Sequence, residues 1–231
     1  GARAAGLPSV DELREWIGDH PSNYWALRRL GAALVETKQF DEANEIVDRL
    51  YELYPDDVSP GSALQLRARM AREQGDAELE RRTLEQLANL DCDAIEVFAR
   101  LAELNAASED WPATLESARK ILAVNPMLPV GHEMLARAGE PLEQHQDVAA
   151  SLTALGEMEP VDPAGLHFRI AVAFDKLGER NLAKRHVLIA LEEAPRYRAA
   201  QQLLLTFVGE DAPLVNDSAA EADPQAEGTE S

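Results

Sequence analysis

Six positions divide the chain at a nearly constant interval, and five of them are proline. The intervals are 34, 37, 34, 34 and 35 residues. The positions are Pro21, Pro55, Cys92, Pro126, Pro160 and Pro195. Helices usually end before a proline, because its ring removes a backbone donor and clashes with the preceding turn. A repeat of this length, with an amphipathic pattern between the marks, predicts stacked helix pairs.

Columns of small residues recur between these marks. One column contains Gly31, Ala68, Ala102, Ala136 and Ala171. A second, of mostly small or β-branched residues, contains Ala43, Glu80, Thr114, Val148 and Ala183. A third is apolar throughout and contains Val47, Leu84, Ala118, Leu152 and Val187. Antiparallel helices about 8–10 Å apart need small side chains where they cross and larger ones in the flanking grooves. Since no stretch shows the alternation of a strand, we expect an all-α fold.

Two stretches carry the repeat most completely, residues 27–55 and 167–195. The first reads Leu27, Leu30-Gly31, Leu34, Phe40, Ala43, Leu50 and Pro55. This pattern resembles the tetratricopeptide repeat (TPR), and the resemblance extends over roughly residues 9–208. It implies a right-handed α-solenoid of antiparallel helix pairs, a TPR-like superhelix. The middle units depart from the pattern, most clearly at Arg67, Glu80 and Cys92 in the second repeat.

The repeat predicts one helical domain over residues 9–208 and an acidic, disordered tail over 209–231. Within the domain we expect a half-repeat at 9–21, repeats at about 24–57, 61–92, 95–126, 129–160 and 164–195, and a capping helix at 197–208. Capping and breaking residues set the predicted helix limits. The predicted helices are 9–18, 24–37, 40–53, 62–74, 77–89, 94–107, 111–123, 129–140, 144–156, 164–177, 180–193 and 197–208.

Particular residues support these limits. Ser9 and Glu12 have the spacing of a capping box, and Gly75 and Gly178 stand where a helix ends in the left-handed conformation. In the last helix we expect Leu204 and Leu205 to be buried, because an uncovered terminal repeat would expose an apolar face.

The first predicted helix has the residue spacing of a second helix of a pair, and the chain begins Gly-Ala-Arg rather than with methionine. Our hypothesis is that this segment was cut from a longer protein. Trp25 then either anchors a peptide or covers the place of a preceding helix, and this N-terminal edge is a possible site of self-association.

The charge excludes some partners. The chain contains 42 acidic and 22 basic residues, a net charge of −20, whereas phosphate binding needs a cationic surface. We therefore expect no nucleic-acid partner. No stretch approaches the roughly 20 apolar residues of a membrane span, and no signal peptide is visible. The compartment stays open, with the cytoplasm as the default. The acidic tail is either a solubilising linker or an interaction arm.

No catalytic or metal-binding constellation is recognisable. Cys92 is the single cysteine, so neither an internal disulfide nor a multi-cysteine site is possible. His132 and Glu133 begin a zinc-protease motif, but Ala136 stands where its second histidine is required. His167 takes the bulky packing position of its helix. We expect no enzyme activity, no metal and no cofactor.

The expected binding surface follows from the TPR resemblance, in which the first helices of the pairs line a concave face. The residues predicted there are Arg28, Arg69, Arg100, Glu103, Arg137, Arg169 and Val172. Their arginines either bind an extended, acidic peptide or pair with neighbouring acids such as Glu96, Glu103 and Glu133. The chaperone-binding clamp of some TPR proteins is not matched, because Ala32 and Leu66 replace its asparagines.

These observations predict a non-catalytic protein-interaction scaffold that presents a preformed concave surface to a peptide or protein. The alternative is a structural module, an oligomerisation or spacer segment of a larger protein, possibly attached to an enzyme domain.

Overall fold

A computed structural model of the chain describes residues 8–211, in which every regular element is an α-helix. The helices of that range are α1 (Val10–Asp19), α2 (Tyr24–Glu36), α3 (Phe40–Leu53), α4 (Ala63–Gln74), α5 (Ala77–Leu90), α6 (Ile95–Ala107), α7 (Trp111–Val124), α8 (Pro129–Gly139), α9 (His145–Gly156), α10 (Pro163–Lys176), α11 (Arg180–Glu193) and α12 (Arg198–Asp211). The predicted limits agree within one residue, except that α12 continues to Asp211. The remainder of the predicted tail, 212–231, lies outside the described residues.

The chain divides into two compact units, with the boundary between Met158 and Glu159. In the first unit each helix from α1 to α9 packs against the next, and α2 also contacts α4, as α6 contacts α8. In the second unit α11 packs against both α10 and α12. Each unit is thus a stretch of α-solenoid made of antiparallel helix pairs. The single repeat domain over 9–208, with its five repeats and two terminal elements, stays a prediction.

The three predicted columns form the core. Every member of the columns is buried, including Glu80 and Thr114. Gly31 shows why the first column must be small: a Cβ added there would lie 2.9 Å from Leu66 Cδ1, closer than side chains normally approach. The columns therefore mark the places where helices cross.

Local side-chain hydrogen bonds fix several helix starts. The Ser9 backbone amide donates to Glu12 at 2.7 Å, and the Glu12 amide donates to Ser9 Oγ at 3.2 Å, so the predicted capping box is confirmed. The side chains of Asn23, Asp76 and Asp110 cap α2, α5 and α7 in a similar way. These bonds satisfy amide groups that a helix start would otherwise leave without a partner.

The turn inside each helix pair contains one residue with positive φ. Gly75 and Gly178 have this conformation, as predicted, with φ of 75° at both. At the corresponding turns the other pairs place Lys38, Glu109 and Glu143, with φ between 55° and 58°. Residues with a Cβ are strained in this region, so these three turns are less favourable than the two glycine turns.

Of the two leucines that we predicted to be buried in the last helix, Leu204 lies on the packing face and Leu205 does not. Leu205 is 69% exposed and Leu204 is half-buried, whereas Ala200 and Phe207 are buried. Residues 200, 203, 204 and 207 follow helical spacing and share one face, while residue 205 points away from it. Phe207, not Leu205, therefore closes the core of the second unit.

The repeated left-handed turn gives a stability prediction. Replacing Glu109 or Glu143, both exposed, with glycine should stabilise the chain by about 0.5–1 kcal/mol, because glycine adopts positive φ without strain. Gly75→Ala and Gly178→Ala are the converse controls and should destabilise it by about 1 kcal/mol. No atom lies within 4 Å of the Cβ added at either glycine, so φ alone would be tested. Denaturant unfolding measures both effects, and a destabilising E109G would contradict the assignment.

Candidate binding surface

A groove opens in the first unit between α4 and α6, with α5 beneath it. Its volume is about 310 Å³. The lining residues are Gln65, Ala68, Arg69, Arg72, Glu80, Leu84, Leu87, Glu96, Val97 and Arg100. Ala68, Leu84, Leu87 and Val97 give the groove an apolar base, and charged side chains surround it. Such a combination of apolar surface with a few polar groups is typical of binding sites.

Arg100 is held within the wall of this groove by two carboxylates. Its Nε and Nη2 donate to the two oxygens of Glu80 at 2.7 and 2.8 Å, and its Nη1 donates to Glu103 at 2.8 Å. The Glu80 side chain is only 4% exposed. The hydrogen bonds that Arg100 donates to Glu80 raise the pKa of Arg100 further above its usual range; burial opposes this rise, and the bond to Glu103 adds to it. Arg100 thus compensates a buried charge.

Arg69 and Arg72 differ from Arg100, because both are exposed and neither forms a hydrogen bond or ion pair with another described residue. Both act electrostatically on the carboxylate of Glu73. Lys38 Nζ lies 3.0 Å from Glu73 and lowers the pKa of this carboxyl, with smaller contributions from Arg69 and Arg72. The two guanidinium groups keep their hydrogen-bond donors available at the edge of the groove.

The structure brings together only some of the predicted site residues. Arg69 and Arg100 line one groove, and Glu103 is bound to Arg100. Arg28 lines a separate cavity beside α2. The exposed Arg137 guanidinium lies 6.0 Å from the Trp111 ring centroid. Arg169 is exposed and Val172 half-buried on α10 of the second unit. A continuous binding row of arginines stays a prediction.

Sequence reasoning missed the role of Glu80. It noted this residue only as a departure from the second column. The sequence did indicate a charge pair here, because an acid in an otherwise small, buried column requires a cation nearby. Which arginine supplies it could not be read from the sequence, since Arg100 lies 20 residues away.

Two histidines meet in the second unit, between α10 and α11. His167 Nδ1 lies 3.1 Å from His186 Nδ1, and the Phe174 ring lies 5.6 Å from that of His186. His167 packs, as we predicted. Burial, then the neighbouring His167 and Arg185, lower the pKa of His186. The folded unit therefore favours the neutral form of this side chain.

Residues 8–211 contain no cluster of three or more His, Cys, Asp or Glu side chains that could hold a metal ion. None of the helices in this range combines the length and apolar character needed to cross a bilayer.

The fold is similar to that of several solved proteins. YrrB, described as a TPR protein with an unusual peptide-binding site, gives a TM-score of 0.63 at 12% identity, covering 84% of this chain and 98% of YrrB. MamA gives 0.57 at 16% identity, covering 76% and 93%. A chain in the structure of Naa15/Naa10 bound to HypK-THB gives 0.66 at 12% identity, covering 87% of this chain and 31% of that one.

The sequence itself matches no protein-family model and no curated protein. At these identities the structural similarity establishes the fold alone. The resemblance to the TPR drawn from the sequence is confirmed at that level, as is the expected α-solenoid.

The buried Glu80–Arg100 pair predicts an asymmetric response to mutation. Arg100→Ala should destabilise the chain by about 3 kcal/mol, because it leaves the Glu80 charge buried without a partner. Glu80→Ala should cost much less, since alanine suits the small column and Arg100 keeps Glu103. The double variant should regain most of the stability lost in R100A. Urea unfolding of the three variants measures this, and equal losses in both single variants would contradict the account.

The histidine pair predicts a pH dependence. The lowered pKa of His186 means that its contribution to stability is fully present above the unfolded-state pKa of about 6.5 and is lost as pH falls through the folded-state value. The melting temperature of the wild-type chain should therefore fall more than that of H186Q between about pH 8 and pH 5. Parallel curves for the two proteins would show that His186 does not respond to pH in this way.

Proposed function

We propose that the chain is a non-catalytic interaction scaffold whose first unit binds an extended, acidic peptide segment in the groove between α4 and α6. The observation that carries the proposal is the combination of an apolar base with two arginines, Arg69 and Arg72, that form no hydrogen bond or ion pair with a carboxylate in residues 8–211. Guanidinium groups bind carboxylates through paired hydrogen bonds, and leucine-sized side chains suit the surface of Leu84, Leu87 and Val97.

The rigidity of the fold supports this function. The helices that form the groove are fixed by the buried columns and by the Glu80–Arg100 pair, so binding would require little ordering on the side of the scaffold. YrrB, which shares the fold, is described as having a peptide-binding site. This likeness is consistent with peptide binding here but does not assign a particular peptide.

Alternating peptides provide a direct test. The probe is a fluorescently labelled decapeptide of alternating glutamate and leucine with an amidated C-terminus, and lysine or glutamine replaces glutamate in two comparison peptides. Fluorescence anisotropy should show that the wild-type chain binds the Glu-Leu peptide in preference to both others. Charge reversal in R69E/R72E should weaken this binding at least about tenfold, because two favourable charge-assisted contacts become repulsive.

The matched control is R81E/R82E, which reverses the same charge on α5, where both arginines pair with Glu78 outside the groove. This variant should bind the Glu-Leu peptide nearly as the wild type does. Equal loss in both variants would mean that only net charge matters and would refute the groove. A chain that binds no peptide, but dimerises with concentration in light scattering, would instead favour the alternative of an oligomerisation module.

A further inference from the structure

A second cavity lies beside α2, at the loop that precedes α4. Its volume is about 290 Å³, and its lining residues are Trp25, Arg28, Arg29, Ala32, Pro60 and Gly61. The lining thus includes two guanidinium groups and the ring of Trp25, which is 52% exposed, but no carboxylate. Tryptophan and arginine are the residue types that most often dominate binding energy at protein interfaces.

Arg28 and its neighbours form the fixed wall of this cavity. Arg28 Nη1 donates to Tyr24 Oη at 3.0 Å, and Nη2 donates to the Pro60 carbonyl. Tyr24 Oη in turn donates to Asp57 at 2.6 Å. Burial opposes ionisation of Asp57, but hydrogen bonds from Tyr24 and Ser59 outweigh it and lower the pKa of this carboxyl. Asp57 is therefore ionised and holds Tyr24, which in turn accepts from Arg28.

Arg29 is the guanidinium of this cavity that forms no polar contact within the described range. Its guanidinium carbon lies 5.6 Å from the Trp25 ring centroid, and it makes no hydrogen bond or ion pair with any residue in the described range. The Nε atoms of both Arg28 and Arg29 are buried without a partner. A buried donor without an acceptor destabilises the folded chain. An acceptor from outside the chain would remove this cost.

We infer that this cavity, the Trp25–Arg29 pocket, binds a carboxylate of a peptide ligand, with Arg29 as the anion contact and the Trp25 ring covering the adjoining part of the peptide. The inference rests on the proposed function and adds an anchor point to it. The fork of guanidinium donors matches the two oxygens of a carboxylate. The carboxylate belongs either to an acidic side chain or to the C-terminus.

One hydrogen bond at the start of α4 links the lining of the pocket to the lining of the groove. Gln65 lines the groove, and its Oε1 accepts from the amide of Gly61, which lines the pocket. Its Nε2 donates to the Val58 carbonyl at 3.2 Å, which holds the same loop. This connection supports the inference that one extended peptide occupies both openings.

Three peptides, two with an amidated C-terminus and one with a free C-terminus, distinguish the two possible sources of the carboxylate. The Glu-Leu amide has only side-chain carboxylates, a Gln-Leu decapeptide with a free C-terminus has only the terminal one, and the Gln-Leu amide has none. Arg29→Ala should weaken the binding of the peptide that supplies the carboxylate about tenfold, since it removes a charge-assisted contact. Trp25→Ala should also weaken the binding of that peptide. The affinity for the Gln-Leu amide should not change in Arg29→Ala.

Matched controls are Trp16→Ala, which removes a similarly exposed tryptophan (50%) on α1, and Arg82→Ala on α5; both should bind as the wild type does. Unchanged affinity of R29A for both carboxylate peptides would overturn the pocket, even if R69E/R72E still weakens the Glu-Leu amide and so supports the groove. Conversely, loss in R29A combined with unchanged binding by R69E/R72E would support the pocket and refute the groove.

Discussion

The close approach of neighbouring helices at small residues is the constraint on which both units depend. Where Gly31 faces Leu66, even one methyl group would have to displace its neighbour, and the alanines of the same column are equally enclosed. Because this contact involves only adjacent helices, a repeat needs few fixed positions. The side chains that face away from the crossings are not required by the fold. Those positions are available for binding, and this explains why the repeat pattern defines a scaffold without defining its ligand.

The helix limits could be predicted from the sequence because their causes are local. A capping box at Ser9, glycines at Gly75 and Gly178 and the repeated prolines act within a few residues of the place they define. The binding surface depends instead on pairs that are distant in sequence. Arg100 appears in the sequence as one arginine of a row, but its partner Glu80 lies on another helix and takes up its donors. Spacing could place Arg100 near a groove, but it could not determine whether the side chain is available to a ligand.

The departures from the repeat are concentrated in the second repeat, and the groove and the Trp25–Arg29 pocket each include residues from this repeat or from the loop that leads into it. The 37-residue interval between Pro55 and Cys92 corresponds to a loop of nine residues, 54–62, between α3 and α4, whereas α5 and α6 are joined by four, 91–94. The longer loop supplies Asp57, Pro60 and Gly61, which contact or line the Trp25–Arg29 pocket. Glu80, the acid in the small column, lines the groove. Two departures from the repeat, the longer loop and Glu80, thus shape these openings, whereas Arg67 and Cys92 line neither of them.

The charge of the chain gives these openings their chemical character. The chain contains 42 acidic and 22 basic residues, so an arginine has many carboxylates available to it. Arg14, Arg67 and Arg119 each form an ion pair with an acid on another helix. Arg29, Arg69 and Arg72 form no hydrogen bond or ion pair with a carboxylate in the described range, and the same is true of Arg49, Arg185 and Arg198 on α3, α11 and α12. The lack of a carboxylate partner therefore does not by itself mark a binding site. What distinguishes the three arginines of α2 and α4 is that each lines an opening beside apolar or aromatic side chains. It is this combination that favours a role in which a bound peptide supplies the carboxylate.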